Sequence, residues 1–237
     1  MNMIVRSRKV KGQPRAIFFD AAGTLIRLTA PVGTTYAEIA RDFGAKADPV
    51  KMEAAFRQSW KEQPARATIA GSREEDDRPW WRALALGALH RGCDPLPASF
   101  DEEGWFDTVY RRYAEPSSWE LFPEVLGCLE ALSVRFPLGV ISNFDRRLET
   151  ILSGHGVMPY FQSITISSVC GADKPAAAIF ETAVVSLGLT PADCLHVGDD
   201  PVRDRRGAEA AGMKCFLVDR PKVTLLALTA RLGSFLS

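Results

Sequence analysis

No apolar run in this 237-residue chain approaches the roughly 18 consecutive residues of a membrane-spanning helix, so the sequence offers no candidate span. An excess of one charge is also lacking. Lys plus Arg and Asp plus Glu stand at 29 each, so no global field recruits nucleic acid or an acidic membrane surface, and a small molecule or a protein is the expected partner. The five cysteines (Cys93, Cys128, Cys170, Cys194, Cys215) are scattered without a CxxC pair. That spacing speaks against a disulfide framework and a zinc site and points to a reducing, cytoplasmic setting. Residues 1–15 hold Arg6, Arg8, Lys9, Lys11 and Arg15 but no apolar stretch ahead of a cleavage site. A flexible basic tail is expected there rather than a secretory signal, with organelle targeting as the lesser alternative. Internal repeats and low-complexity tracts are absent. What is present is a globular composition, 46% apolar, enough for a sizeable core in one large domain or two modest ones.

Residues 30 to 116 read as helical throughout. Thr34 to Phe43, Asp48 to Gln63, Pro79 to Arg91 and Ser99 to Ala114 carry apolar residues at helical spacing, and Asp48-Pro49 and Arg78-Pro79 suit helix starts. The charged run Arg73 to Arg78 is expected to be a solvated connection. From Trp119 onward helices alternate with strands: helices Pro123 to Arg135, Arg146 to Ser153, Pro175 to Leu187 and Val202 to Ala211, and strands Leu138 to Ser142, Ile164 to Ser167, Cys194 to Gly198 and Lys214 to Val218. This alternation predicts an α/β fold, a Rossmann-like parallel sheet with helices on both faces. The apolar run Ala16-Ile17-Phe18-Phe19 ahead of Asp20 belongs to the same sheet. The expected organisation is therefore a core of residues 1–29 and 117–237, with the helical block 30–116 inserted after the first strand.

Candidate chemistry gathers at strand ends, where open α/β sheets bind ligands. Asp20 closes the first strand and precedes Ala21-Ala22-Gly23-Thr24, a turn that places a lone carboxylate in the crevice. Ser142-Asn143 ends a second strand with groups able to hydrogen-bond an anion, although Ser-Asn is also ordinary strand-ending chemistry. Lys174, between Asp173 and Pro175, sits just before a helix, a place that suits phosphate. In Leu195-His196-Val197-Gly198-Asp199-Asp200, two acids follow a strand, and Asp204 comes one helical turn later. Carboxylates gathered this way need compensation, and Asp20, Asp199 and Asp200 or Asp204 suggest Mg2+; Asp200 or its neighbour also suits the N-cap of the next helix. His196 reads as a packed histidine. Trp80, Trp81, Trp105 and Trp119 read as packing or domain-junction surface, since no basic stripe accompanies them.

The strings FFDAAGTLI, VISNFD, ADKPAAAIF and HVGDDPVRD resemble, in order and spacing, the four motifs of the haloacid dehalogenase superfamily. The inserted block has the position of that superfamily's helical C1-type cap. ISNFDRRLETIL and PVGTTYAEIARDFG are further similar to the branch named for rhythmically expressed gene two. The resemblance implies a hydrolase of phosphatase type acting with Mg2+ on a small phosphorylated metabolite. By position, Asp20 is implied as the nucleophile that forms an aspartyl-phosphate and as a metal ligand. Ala22 stands where phosphatases of the superfamily carry a second Asp, so only its backbone carbonyl is left for the metal. Thr24, Ser142, Asn143 and Lys174 are implied as phosphate contacts, with Lys174 neutralising charge. Asp199 is implied as a direct metal ligand, Asp204 as a ligand or an orienter of metal-bound water, and Asp200 as an outer acceptor. Loss of the acid at position 22 implies slow hydrolysis of esters with poor leaving groups. A phosphate-metabolite or protein-binding module without turnover is the alternative. Lesser ones are a dehalogenase, or a phosphonate hydrolase in which Lys61 forms a Schiff base.

Overall fold

The computed structural model describes residues 13–93 and 95–233. Most of the expected basic tail lies outside the described residues. Its last member, Arg15, is tied to the core by its amide on Asp193 O at 2.6 Å.

In chain order the elements are β1 (Ala16–Phe19), β2 (Ile26–Leu28), α1 (Val32–Asp42), α2 (Pro49–Glu62), α3 (Arg78–Gly92), α4 (Glu102–Arg112), β3 (Trp119–Leu121), α5 (Val125–Ser133), β4 (Leu138–Ser142), α6 (Arg147–Gly154), β5 (Phe161–Ile166), α7 (Ser167–Cys170), α8 (Ala177–Ser186), β6 (Cys194–Gly198), α9 (Gly207–Ala210), β7 (Lys214–Leu217) and α10 (Leu225–Gly233). Five strands form one parallel sheet in the order β5-β4-β1-β6-β7. β1 is central and has no exposed surface, which is why its sequence is unbroken apolar rather than alternating. Successive side chains still divide between the two faces. Ile17 and Phe19 join Val140, Leu129, Ile151 and Leu228 beneath α5, α6 and α10, whereas Ala16 and Phe18 join Ile141, Phe180 and Ala208 beneath α8 and α9. The expected α/β sheet with helices on both faces is what the chain forms.

Helices α1 to α4 have a core of their own, in which Tyr36, Met52, Leu89, Trp105 and Phe106 are buried together. Asp48 caps α2 by accepting from Lys51 N at 2.9 Å, and Asp101 caps α4 by accepting from Gly104 N at 3.0 Å. The chain enters and leaves this block through the short antiparallel pair β2–β3, clipped by Arg27 Nε on Glu120 Oε1 at 2.7 Å. At three residues each, those strands are too short to leave an alternating pattern. β5 begins at Phe161 rather than Ile164 because its first half is a partly exposed sheet edge, and only its buried end reads as strand. The helix expected from Val202 opens instead with π-type winding over Pro201–Arg206 before α9.

The run Arg73 to Arg78 is not the solvated connection its charges suggest. Arg73 and Asp77 are buried, and with Arg66 and Asp173 they form a closed ion cluster. Asp77 Oδ2 lies 2.8 Å from Arg73 Nη1 and 3.3 Å from Arg66 Nη1, while Asp173 receives Arg66 Nε at 2.8 Å and Arg73 Nη1 at 3.2 Å. Opposite charges at this spacing satisfy each other away from water, which a composition count does not reveal. The backbone strap that leads into this run is stitched to the core as well: Ile69 N donates to Gly171 O at 2.9 Å and Arg73 N to Ser168 O at 2.7 Å. Glu75, Asp76 and Asp77 are all left-handed, with φ of 47°, 56° and 63°. Each costs about 1–2 kcal/mol for a residue with a Cβ, and Asp76 is held there by accepting from Arg146 N at 2.7 Å and from the Ser168 hydroxyl.

Burial pushes the Asp77 carboxyl up even between its two guanidinium partners, so the cluster selects one seating of the strap more than it adds stability. Asp77→Ala leaves two buried guanidinium groups short of a partner and is expected to cost about 3 kcal/mol. Hydrogen exchange at the Ile69 and Arg73 amides should accelerate ahead of that in β1; unchanged exchange at both would show that the strap is held by something else.

Candidate functional site at the strand ends

β1 delivers Asp20 to the carboxyl edge of the sheet, where its amide donates to Val197 O at 2.8 Å and locks the register of the turn that follows. The amides of Thr24, Leu25 and Ile26 all converge on Ala21 O, and that of Gly23 donates to Ile26 O. None of these turn amides is spent on the Ala22 carbonyl. Gly23 is left-handed at φ +93°, and a Cβ on it would lie 2.4 Å from Asp199 Oδ2. The glycine is therefore what lets β1's turn and β6's carboxylate approach. Gly198 does the same for Asp204, whose Cγ would stand 2.2 Å from an added Cβ.

Lys174 is the hub. Its ammonium is buried and donates to Asp20 Oδ1 and Asp204 Oδ1, both at 2.6 Å. Asn143 fixes the lysine's backbone from both sides, accepting from Lys174 N at 2.7 Å and donating to Lys174 O at 2.9 Å. Its amide is thus engaged in placing the lysine. Asp204 is almost fully enclosed: Oδ1 also meets His196 Nε2 at 2.8 Å, and Oδ2 accepts from Asp200 N at 2.9 Å. Asp200 accepts from Val202 N and Arg203 N, the expected cap. Thr24, expected to contact phosphate, is wholly buried, and its hydroxyl donates to Asp199 Oδ1 at 3.3 Å. It braces a carboxylate instead. Ser142 ends β4 and lines the same cleft.

Three carboxylates face one ammonium, an excess of two negative charges. Burial, opposed by Lys174 and reinforced by Asp204 and Asp199, pushes Asp20 up to about 6. Burial and Asp204 likewise raise Asp199. Asp204 goes the other way: its burial is outweighed by Lys174 and by the hydrogen bond from His196, which hold it well below the usual carboxylate range. Lys174, despite burial, is held charged by Asp20 and Asp204. Burial lowers His196, so the ring is neutral and serves Asp204 as an N–H donor. Oxygens of Asp20, Asp199 and Asp204 lie within 4.8 Å of one another. With hard donors and excess negative charge, and with Ala22 lining the same cleft, the set fits an oxygen-seeking divalent cation.

Above these groups a cleft of about 800 Å3 runs between the strand ends and the helical block. α2 contributes Phe56, Arg57, Trp60 and Lys61 to it, α3 contributes Trp81, and α4 contributes Phe106 and Tyr110. From the core, Arg147 is clamped by Asp145 at 2.6 Å and lies 3.8 Å from the Tyr110 ring centroid. Sequence reasoning missed the Arg147–Tyr110 contact and the Arg66–Asp173 pair because these partners lie 37 and 107 residues apart in the chain. His196 is packed as expected, edge-on to Phe180, but it also has the unexpected task of bracing Asp204.

A haloacid dehalogenase-like hydrolase family model matches residues 14–212. Among similar sequences, haloacid dehalogenase-like hydrolase domain-containing protein 3 of Mus musculus is 34% identical over 208 residues, spanning 87% of this chain and 82% of its own length. The rhythmically expressed gene 2 protein of Drosophila melanogaster is 29% identical over 217 residues, 86% of this chain and 82% of its own. A magnesium-bound putative hydrolase of Bacillus subtilis superposes with a TM-score of 0.72 at 16% identity, over 93% of this chain and 99% of its own. A defluorinating L-2-haloacid dehalogenase superposes at 0.73 and 19% identity, over 93% and 95%. At such identities the two structures speak for the fold alone.

Gly23→Ala places a Cβ against the Asp199 carboxylate in a conformation that L-residues resist, and should destabilise the protein by about 1–3 kcal/mol. Chemical denaturation measures it. Stability equal to the parent would mean that the turn and Asp199 are not in close approach.

Proposed function

The chain belongs to the haloacid dehalogenase-like hydrolases, and we propose that it hydrolyses small phosphorylated metabolites with Mg2+ through an aspartyl-phosphate on Asp20. The observation that carries this reading is the ammonium of Lys174 held at 2.6 Å from both Asp20 and Asp204 beneath an open cleft. A carboxylate nucleophile and a phosphate repel each other, and a fixed buried cation beside the nucleophile offsets that repulsion without reorganisation. Asp20, Asp199 and the Ala22 carbonyl would hold Mg2+, with Asp204 completing the acidic set. The ion, when bound, supplies further charge neutralisation for the transferring group.

In the first step an Asp20 oxygen bonds to phosphorus, and the bond to the leaving oxygen breaks with its electron pair going to that oxygen. In the second, water attacks phosphorus, releasing inorganic phosphate and restoring Asp20. Lys174 keeps Asp20 ionised and in place, and the Ser142 hydroxyl can donate to a phosphoryl oxygen. Position 22 supplies no proton. General acid catalysis is typically worth about 10²- to 10⁴-fold, roughly 3–5 kcal/mol, so the leaving group must depart largely unaided. Lys61 is exposed at the cleft wall, unlike the enclosed lysine that imine chemistry calls for, and this counts against the phosphonate reading.

A hard divalent ion bound only by the folded state raises stability, by about 2.7 kcal/mol at a hundredfold excess over its dissociation constant. Mg2+ should therefore raise the melting temperature of the parent and do so much less in Asp199→Ala. An equal rise in both would remove Asp199 from the metal site. With Mg2+ saturating, Ala22→Asp should raise kcat on an alkyl phosphate, up to the 10²- to 10⁴-fold ceiling of acid catalysis, and gain little on acetyl phosphate, whose leaving group needs no proton. No turnover of either substrate by either protein would favour a phosphate-binding module.

A further inference from the structure

The cleft above Asp20 is far more aromatic than the chain that builds it. Of its 27 lining residues nine are Phe, Tyr or Trp, one in three, against 9% of the sequence as a whole. These rings pack on one another: Trp60 lies 5.9 Å from Phe56 and 6.1 Å from Trp81, both tilted, and the Arg147 guanidinium is 3.8 Å from the Tyr110 centroid. Trp60 is 37% exposed, so protein does not cover it completely, and Arg203 of the core reaches to 5.8 Å from its ring. Packed, partly uncovered rings favour a flat partner, because offset stacking adds to simple area burial.

A second observation concerns what this wall lacks. Every carboxylate lining the cleft (Asp20, Asp199, Asp200, Asp204) comes from the strand ends of the core, and the helical block contributes none. Asp200 is already spent on the Val202 and Arg203 amides. Burial pushes Tyr110 and Tyr113 up to about 12, far from the operating range of an efficient proton donor. Among the described residues, no carboxyl of the block thus lines the cleft to take over from the acid missing at Ala22.

We propose that the substrate is an aryl phosphate, or an equally flat conjugated one, whose ring lies against Trp60 and Trp81 while its phosphoryl group meets Asp20 and Lys174. The two observations converge on one chemistry. A ring that stacks on the wall also delocalises the charge left on its oxygen when the phosphorus–oxygen bond breaks, so the aryloxide departs with the electron pair and takes its proton from solvent afterwards. This rests on the phosphatase reading above and narrows it.

Three probes separate the two: 1-naphthyl phosphate and 4-nitrophenyl phosphate, which have rings, and acetyl phosphate, whose leaving group departs more readily still but has none. With Mg2+, the parent should use all three, with a higher kcat/KM for the aryl esters. In Trp60→Leu the ratio of kcat/KM for naphthyl over acetyl phosphate should fall about tenfold, mainly through KM, and Trp60→Phe should restore most of it. Melting temperatures confirm that both variants fold. A ratio unmoved by Trp60→Leu, or use of acetyl phosphate without use of the aryl esters, overturns the proposal and leaves the phosphatase reading standing. Turnover of none of the three overturns both.

Discussion

A buried ammonium between two buried carboxylates is the constraint on which this structure turns. Lys174 can stay charged inside the protein only because Asp20 and Asp204 stand on either side of it. Each of the three comes from a different strand end, after β1, β5 and β6, so the triad exists only when the parallel sheet is in register. The sheet is in turn as apolar as it is because its central strand must be covered on both faces. Burial that would penalise an isolated charge also strengthens the interactions among these charges: removed from water, they act on one another with little screening.

Asp204 and Asp199 divide the work between them. The first is saturated by Lys174, His196 and the Asp200 amide, a fixed brace whose oxygens are already committed. Asp199, supported by Thr24, lines the cleft, and its partial burial together with the neighbouring Asp204 raises its affinity for protons. Close approach of all four groups depends on two glycines, Gly23 and Gly198, whose missing side chains are the space the carboxylates occupy. Over this polar floor the helical block sets an aromatic wall, seated on the core by the Arg66–Asp77–Arg73–Asp173 cluster. Asp173 is the neighbour of Lys174, so the seating of the block and the position of the hub share one stretch of backbone.

The sheet and the four strand-end motifs were legible in the sequence because each is a local pattern, an apolar run followed at once by a polar group. Asp20, Ser142, Lys174, Asp199 and Asp204 do converge. Less legible was what each residue touches. Thr24 and Asn143 sit in the right motifs but spend their polar atoms on Asp199 and on the backbone of Lys174. The charged run at Arg73 to Arg78 read as solvent-facing because Asp173, which closes the cluster, lies 100 residues from Arg73, and nothing local distinguishes a buried ion cluster from a hydrated one. β2 and β3 were too short, and β5 too exposed at its start, to leave a periodic trace. The aromatic wall was visible only as scattered helix residues until α2, α3 and α4 brought them to one face.

Covalent catalysis by Asp20 is the centre of the account, and trapping the intermediate tests it most directly. Protein mixed with acetyl phosphate and Mg2+ is quenched in acid during turnover and its peptides are examined by mass spectrometry. A phosphoryl adduct is expected on the peptide that contains Asp20, absent without Mg2+ and absent from Asp20→Asn, which also fails to turn over. Turnover that persists in Asp20→Asn, or an adduct located on another residue, would contradict it.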